Sequence, residues 1–323
     1  MSVHSGISLV IPVFNESASI SELIRSIKEQ TLQPDEIIFV DGGSTDDTVE
    51  KITAQTNTDS RYRVIKAGRA YPGKGRNTGA AASKNNWIAF TDAGIRLDRN
   101  WLKFMAEKRN EEPACSVIYG NFSPQLDSFF ERCAAIAYVP ALKPGSIRYR
   151  SVVSCLLKKE AWEKVGGFPD WRATEDLVFM EKLDSAGFQS AHAPDSMAWW
   201  QLQPGFASTF RKFDLYSMYN VWARRQAHWH YGVLRHYLLM LVFCLPGFFH
   251  HWAWFLGVPA WMLARSVKRI YQHRPEFGIQ TLFNPAVIFM VTLITLVTDM
   301  ATFSGWIKAL VRPKPLQVAN EEK

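Results

Sequence analysis

Residues 7–14 form a continuous apolar run rich in β-branched side chains, the pattern of a strand buried on both faces. From 17 to 30 the period changes, and Ile20, Leu23, Ile24 and Ile27 fall on one stripe of a helix. EIIFVD (36–41) reads as a second buried strand, closed by Gly42-Gly43. Ser44, with Asp46 and Asp47 behind it, reads as the N-cap and first-turn acids of a helix running to about 55. Tyr62–Lys66 is a third strand, 73–83 a Gly/Ala-rich helix, and WIAFTD (87–92) a fourth strand. A βαβαβαβ series predicts an open, largely parallel sheet with helices on both faces. Ligands of such sheets bind outside the carboxyl ends of the strands, where Asp41 and Asp92 both stand.

Residues 98–204 mix helices with shorter strands, such as 115–120 and 152–157, and no Gly/Ser/Pro-rich linker separates them from the first half. The last third is different. Between Arg235 and Arg265 there is no charged residue, and from Phe277 to Thr298 there is none again. Both segments reach the ~20 apolar residues that a membrane helix needs. Pro246-Gly247 and His250-His251 near the centre of the first would be awkward in a straight spanning helix. The loop after it carries Arg265, Lys268, Arg269 and Arg274, and positive loops stay on the cytoplasmic side. The expectation is a broken hairpin lying in or re-entering the cytoplasmic leaflet, with 277–297 as the spanning segment. Residues 206–231 interleave aromatic and basic side chains, as at a headgroup region or along an ordinary surface helix. The predicted domains are 1–204 and 205–323.

Composition sharpens this division. Of 323 residues, 47% are hydrophobic and 21% charged, which excludes a disordered or fibrous chain. The formal net charge of +7 is unevenly spread: residues 1–204 sum to −1 and residues 205–323 to +8. A nearly neutral first part and a basic, apolar second part suit an anionic lipid surface and argue against nucleic acid. Cys115, Cys133, Cys155 and Cys244 lie far apart, with neither zinc-finger nor disulfide spacing, and read as buried fillers in a reducing compartment. The amino-terminal apolar run is strand-length, so no secretory signal is expected.

Several short signatures compete for a functional reading. GRAYPGKG (68–75) fits GxxxxGK, but Gly75 replaces the hydroxyl residue that would hold magnesium. Gly73-Lys-Gly-Arg-Asn-Thr-Gly79 resembles a dinucleotide fingerprint, yet it follows the third strand rather than the first. It reads better as a Gly-opened helix that brings Lys74 and Arg76 toward a phosphate or base. His228-Trp-His230 and His250-His251 have no accompanying carboxylate or cysteine and read as packed or interfacial histidines rather than metal ligands.

Four elements in order carry more weight. They are VIPVFNE (10–16), VDGGSTDDT (40–48), FTDAG (90–94) and Ala173-Thr174-Glu175-Asp176. Together they resemble a family 2 glycosyltransferase with the GT-A fold, a Rossmann-like nucleotide-diphospho-sugar transferase architecture, over residues 7–200. The expected chain is thus an α/β GT-A domain followed by a helical, membrane-associated region. The resemblance implies that Pro12, Phe14 and Glu16 meet the base and ribose of the donor and that Asp41 accepts from a base N–H. A carboxylate acceptor suits an imide N–H such as that of uracil. Lys74 and Arg76 would approach the donor, Arg76 offsetting phosphate charge.

FTDAGIRLD aligns with the family's DxD segment, in which two carboxylates bind ribose and a divalent metal on the diphosphate. Asp92 matches the first Asp, and Gly94 stands where the second belongs. The resemblance implies Mg²⁺ or Mn²⁺ at Asp92 with one carboxylate fewer than usual. Asp98 or basic residues could compensate. Glu175-Asp176 matches the family's ED pair, with Asp176 as general base and Glu175 positioning it or the acceptor. The bland alternative is a pair of first-turn acids. Gly166-Gly167-Phe168 and Trp171 match the loop that shapes the acceptor site. The Gln-x-x-Arg-Trp motif of processive synthases does not occur, which points to single-sugar transfer.

The implied function is inverting transfer from a nucleotide-sugar, UDP-linked by first choice, to a lipid-linked or glycan acceptor. It would take place at the cytoplasmic face of the inner membrane, in glycan, polysaccharide or glycolipid biosynthesis. The alternative from another class is a catalytically degraded GT-A-like membrane scaffold, which Gly94 keeps open.

Overall fold

The computed structural model describes residues 6–142, 146, 148 and 150–314. They form two compact units. The first takes residues up to 124 together with 147–201, and the second takes 125–146 and 202–314. The segment 125–146, placed by sequence within the first domain, thus belongs to the second unit.

The first unit holds eight strands: β1 (Ile7–Val13), β2 (Glu36–Asp41), β3 (Tyr62–Lys66), β4 (Trp87–Phe90), β5 (Ile95–Leu97), β6 (Val117–Pro124), β7 (Cys155–Lys158) and β8 (Ser190–Trp200). They make one sheet in the order β3-β2-β1-β4-β7-β6-β8-β5. The β3-β2-β1-β4 half is parallel, as the apolar runs predict, and β7 joins β4 in the antiparallel sense. The sheet is therefore mixed. The register pairs Val13 with Asp41 and Val10 with Phe90, which brings the ends of β1, β2 and β4 side by side.

Helices α1 (Ile20–Lys28), α2 (Thr48–Thr56), α3 (Pro72–Ala82) and α4 (Trp101–Glu111) follow these strands. Side chains alternate across β1. Ile7, Leu9, Ile11 and Val13 enter one core with Ile20, Leu23, Ile24, Ile27 and Trp101. Val10 enters the other with Ile38, Val40, Ala80, Phe168 and Phe179. Glycine sets how closely α3 approaches that second face, since a Cβ on Gly79 would lie 2.3 Å from Val10 Cγ1.

Ser44 is not the N-cap of α2, which starts at Thr48. Its backbone N–H is bonded to Asp41 Oδ1 at 2.9 Å, and its hydroxyl accepts from Asn15 N at 3.0 Å. Residues 42–47 are used instead to tie the end of β2 to the end of β1. Strands β5 and β8 were not apparent in the sequence.

The second unit begins with α5 (Phe129–Tyr138), opened by a capping box between Ser128 and Glu131. Back in the first unit lie α6 (Lys159–Lys164) and α7 (Glu175–Ser185). The second unit resumes with α8 (Phe206–Trp222), α9 (His230–Phe249), α10 (Gly257–Gln272), the single turn α11 (Arg274–Phe277) and α12 (Pro285–Val311). The apolar segment expected at 277–297 is displaced along the chain. A short 3₁₀ stretch occupies Ile279–Phe283, and Asn284 caps α12 by accepting from Ala286 N and Val287 N. Helices α9 and α12 are long and apolar enough to cross a membrane, with mean hydropathy 1.6 and 2.0.

Candidate active site

The carboxyl ends of β1, β2 and β4 carry the predicted donor residues. Pro12 backs onto α3, where a Cβ on Gly75 would lie 3.0 Å from Pro12 Cβ. Phe14 is 53% exposed just past β1, free to meet a planar ligand. Asp41 is buried, with Oδ1 accepting from Ser44 N, so it caps the turn in this structure. Asn15 adopts φ 54°, a left-handed conformation that few residues other than Gly, Asn and Asp take readily. Its Oδ1 accepts from Thr45 N at 2.8 Å. Glu16 accepts from the Ser19 hydroxyl at 2.5 Å. Burial raises the Glu16 carboxyl, the Ser19 hydroxyl opposes that rise, and Asp92 and Asp46 add to it.

The centre of the site is an arginine. Arg76 projects from α3 with only 4% of its side chain exposed, and its Nη1 donates to Glu175 Oε1 at 2.7 Å. Its Nη2 donates to Asp92 Oδ1 at 2.6 Å. Burial works against its charge, but Asp92, Glu175 and Asp176 more than offset that and hold its pKa above the ordinary value. The expectation for Arg76 was a cation facing phosphate. The structure instead commits both its terminal nitrogens to carboxylates, and Lys74, two residues earlier, is the exposed cation of α3.

Glu175 and Asp176 open α7, and the chain enters through Thr174 at φ 64°. A β-branched residue in the left-handed region is strained, and such strain gathers at functional sites. Glu175 is 5% exposed. Burial pushes its carboxyl up to about 7, against the pull of Arg76. Asp176 is only half-buried. Its Oδ1 accepts from Leu177 N at 2.9 Å. Burial raises it as well, with Arg76 again opposing. One carboxylate of the pair is thus locked in an ion pair with Arg76, while the other is held by a backbone N–H.

The loop before α7 is fixed from α3. Asn77 Oδ1 accepts from Phe168 N and from Trp162 Nε1, both at 2.9 Å, and its Nδ2 donates to Phe168 O at 2.7 Å. A Cβ on Gly73 would lie 1.9 Å from Pro169 O, so only glycine fits there. The Phe168 ring stacks on Phe179 at 3.8 Å between centroids, and the Arg76 guanidinium lies 5.4 Å from the Phe168 ring centre. The sequence reading missed this bracing role of Asn77. Its neighbour Arg76 drew attention on charge, while an amide that binds a loop about ninety residues away leaves no local signal.

Residues 8–152 match the family described as Glycosyl transferase family 2. The first unit carries a family 2 glycosyltransferase domain. A glycosyltransferase, GlyG, of Streptococcus pneumoniae serotype 4 is 31% identical over 197 residues, covering 55% of this chain and 64% of that protein. A poly-beta-1,6-N-acetyl-D-glucosamine synthase of Staphylococcus aureus is 24% identical over 206 residues, covering 60% of this chain and 49% of that protein. The chain thus spans about half to just under two thirds of the length of these relatives. Among solved structures, the mannosyltransferase PcManGT of Pyrobaculum calidifontis, in complex with GDP-Man and Mn²⁺, superimposes with TM-score 0.60. It is 16% identical, and the match covers 95% of this chain and 88% of that one. TarS 1-349 of S. aureus, in complex with UDP-GlcNAc, gives 0.52 at 15% identity, covering 93% and 91%. At such identities the likeness is one of fold, and the chain shares the GT-A fold with them.

Gly94 stands in the place of the second DxD carboxylate. A Cβ built there would have Glu16 Oε2 4.0 Å away as its nearest neighbour. Among the described residues no group of three or more His, Cys, Asp or Glu side chains is placed to hold a metal.

Proposed function

We propose that the chain is an inverting glycosyltransferase using a nucleotide-sugar donor, UDP-linked, and a lipid-linked or glycan acceptor hydroxyl at the cytoplasmic face of the inner membrane, in glycan, polysaccharide or glycolipid biosynthesis. The observation that carries the reading is the division of labour in the Glu175-Asp176 pair. Arg76 takes Glu175, and Asp176, half-buried, is held by the backbone N–H of Leu177 rather than by a bond to the arginine. Burial raises its pKa, and a raised pKa makes the ionised carboxylate a stronger base. In the transfer, Asp176 takes the proton of the acceptor O–H as the acceptor oxygen forms its bond to the anomeric carbon. The bond from that carbon to the diphosphate oxygen breaks on the opposite face, and the diphosphate leaves with the electron pair. Glu175 acts by positioning, through Arg76.

The residues present fit a divalent cation that is shared with the substrate. Asp92, Glu175 and Asp176 surround one buried cation, and Glu16 in turn feels the charges of Asp92 and Asp46. Such a surplus of negative charge would repel a diphosphate unless a further cation came between them. Mg²⁺ and Mn²⁺ accept one or two protein carboxylates and take remaining oxygens from phosphates and water. Asp92, with 36% of its side chain exposed, would supply the protein oxygen. Bound there, the metal would neutralise charge on the leaving diphosphate. The donor base would lie against Pro12, Phe14 and Asp41, and Lys74 would reach the phosphates.

Asp176→Asn tests the reading. Donor binding should persist while transfer of labelled sugar in membranes falls by about 10²–10⁴-fold. Undiminished transfer would remove Asp176 as the base. The scaffold alternative, which Gly94 favours, predicts that UDP binding is indifferent to Mg²⁺ or Mn²⁺, and calorimetry separates the two.

A further inference from the structure

The second unit presents an apolar surface whose shape restricts how it can meet a bilayer. Helix α9 ends in a reversal at His250-His251, and a 3₁₀ turn at Trp252–Leu256 leads into α10, which returns along α9. Close approach at two glycines fixes this hairpin. A Cβ on Gly257 would meet the Phe243 ring at 2.3 Å, and one on Gly247 would meet the Phe255 ring at 2.8 Å. Beyond Tyr237 the legs and tip are exposed on many sides. Phe248 is 77% exposed, Phe249 80% and Trp252 65%, with Leu241, Val242 and Leu245 all above half or at it. Residues 236–264 contain no Asp, Glu, Lys or Arg.

Charge returns at the open end. Arg235 is exposed at the base of α9, and Lys268 and Arg274 are exposed on the way out. Arg265 is also at the base, buried against Asp299 at 2.8 Å. Between residues 230 and 300 there are five Lys and Arg against two acids, and all seven lie outside the charge-free stretch of the hairpin. An apolar projection with a cationic collar complements an anionic lipid leaflet, acyl chains at the tip and phosphates at the base. A protein partner or a second copy would give no reason for the cations to gather at one depth.

Helix α12 lies across this base. Its Thr292 and Thr295 bond Ser266 and Arg269 of α10. Asp299 takes both Arg265 of α10 and the Tyr237 hydroxyl of α9. Phe303 then packs on Tyr237, and Trp306 packs on His230. The helix therefore contacts α10 with residues 292–299 and α9 with residues 299–306. Its exposed side chains Phe289, Leu296, Met300, Ile307 and Val311 repeat at intervals of seven and four, which is one stripe along a helix. The opposite face, with Val291, Ile294, Thr298, Thr302 and Gly305, is turned inward. A helix with one exposed apolar stripe and an inward face bonded to its own unit suits an interfacial position. The apolar part of α9, from 236 to 249, is about 20 Å long, short of a hydrocarbon core of about 30 Å.

We propose that the α9–α10 hairpin dips into one leaflet of an anionic bilayer and returns to the same side, while α12 lies in the interface across its base, so that no segment of 202–314 crosses the membrane. This rests on reading the second unit as membrane-attached, and it replaces the spanning role expected for the last apolar segment.

The test is topological and does not use transfer activity. In the full-length chain with Cys244→Ala, whose other cysteines are buried, single cysteines are placed at Gln201, Gln280 and Arg312. A membrane-impermeant maleimide is then applied to sealed vesicles from either side. All three should label from one side alone, and a cysteine at Trp254 should label from neither until detergent is added. Labelling of Gln280→Cys from the side opposite to Gln201→Cys would show that one leg of the hairpin crosses alone. Labelling of Arg312→Cys opposite to Gln280→Cys would show that α12 spans. Either result overturns the proposal, as does free labelling of Trp254→Cys in intact vesicles. In flotation, the chain should rise with phosphatidylcholine vesicles containing phosphatidylglycerol. Lys268→Gln with Arg274→Gln should weaken that association roughly twenty-fold. Equal flotation of parent and variant on charged and uncharged vesicles would refute the collar. Loss of transfer in Asp176→Asn would leave every one of these readouts unchanged, so the two readings fail independently.

Discussion

Replacing Arg76 by Met removes the one buried cation that faces three carboxylates, and the structure allows the effect to be worked through. At an effective dielectric of about 20, each contact near 4 Å is worth about 4 kcal/mol, much of it spent on desolvation in the folded protein. Glu175 then stays buried without a partner. Its carboxyl, already pushed up to about 7, rises further, and the group takes a proton at neutral pH instead of remaining charged. Proton uptake limits the penalty, and breaking a buried pair at one partner usually destabilises by about 3–5 kcal/mol. For a unit of this size that corresponds to a drop of about 10 °C in Tm.

The buried thiols of Cys115 and Cys155 supply the assay, because they react with an aromatic disulfide only when the first unit opens. Arg76→Met combined with Glu175→Leu should recover most of the loss, since it removes both charges together. The sign of the pH dependence follows from the raised carboxyl. An acid whose folded pKa exceeds the unfolded one contributes stability below the unfolded value and loses it as pH rises through the folded value. The Arg76→Met deficit should therefore be small near pH 5 and grow toward pH 8. A deficit that is flat across this range, and that Glu175→Leu leaves unrelieved, would refute the account of Arg76 as an electrostatic clamp.

Gly79→Ala should lower stability by about 2 kcal/mol, because its Cβ would press to 2.3 Å from Val10 Cγ1, and thiol exposure on heating would report it. Asn77→Ala leaves the Phe168 N–H and the Trp162 indole N–H unpaired, which should cost about 2 kcal/mol and loosen the 166–168 loop. Its kinetic signature should be a raised acceptor KM with little change in donor KM. The acid limb of kcat/KM should fall away as pH drops toward about 7 and below, not near the ordinary carboxylate value of about 4. Glu175→Gln should move that limb, and an unmoved limb would detach Glu175 from the proton balance. Asp92→Asn should weaken UDP binding in the presence of Mn²⁺ far more than in its absence, measured by calorimetry.

The elements most legible in the sequence were those whose signal is local. The β-branched runs of β1 and β2 and the one-sided stripe of α1 are visible because burial repeats along the chain itself. The carboxylates at the strand ends were visible because parallel sheets place ligands there. Strand β5 is three residues long, and β8 carries exposed polar residues at Ser190 and Asp195, so neither has a clean apolar period. What pairs them is the sheet edge, which no window of sequence contains. Ser44 was misassigned because a serine followed by two aspartates satisfies a helix start and an interstrand tie equally well. Arg76 was found as a charge but not as a clamp, since its partners lie 16 and 99 residues away.

That last distance bears on how the molecule comes into being. During synthesis α3 emerges with its arginine long before α7 supplies Glu175, so the reactive cluster cannot be assembled until the first unit is nearly finished. The same holds for α5, which is made early but belongs with helices made last, packing Tyr138 on Phe213 and Val139 on His273. Its apolar face must wait, uncovered, while the intervening sheet strands are completed. A nascent chain in that interval is both inactive and adhesive, and early delivery to lipid or to a chaperone would protect it until α8 and α10 arrive.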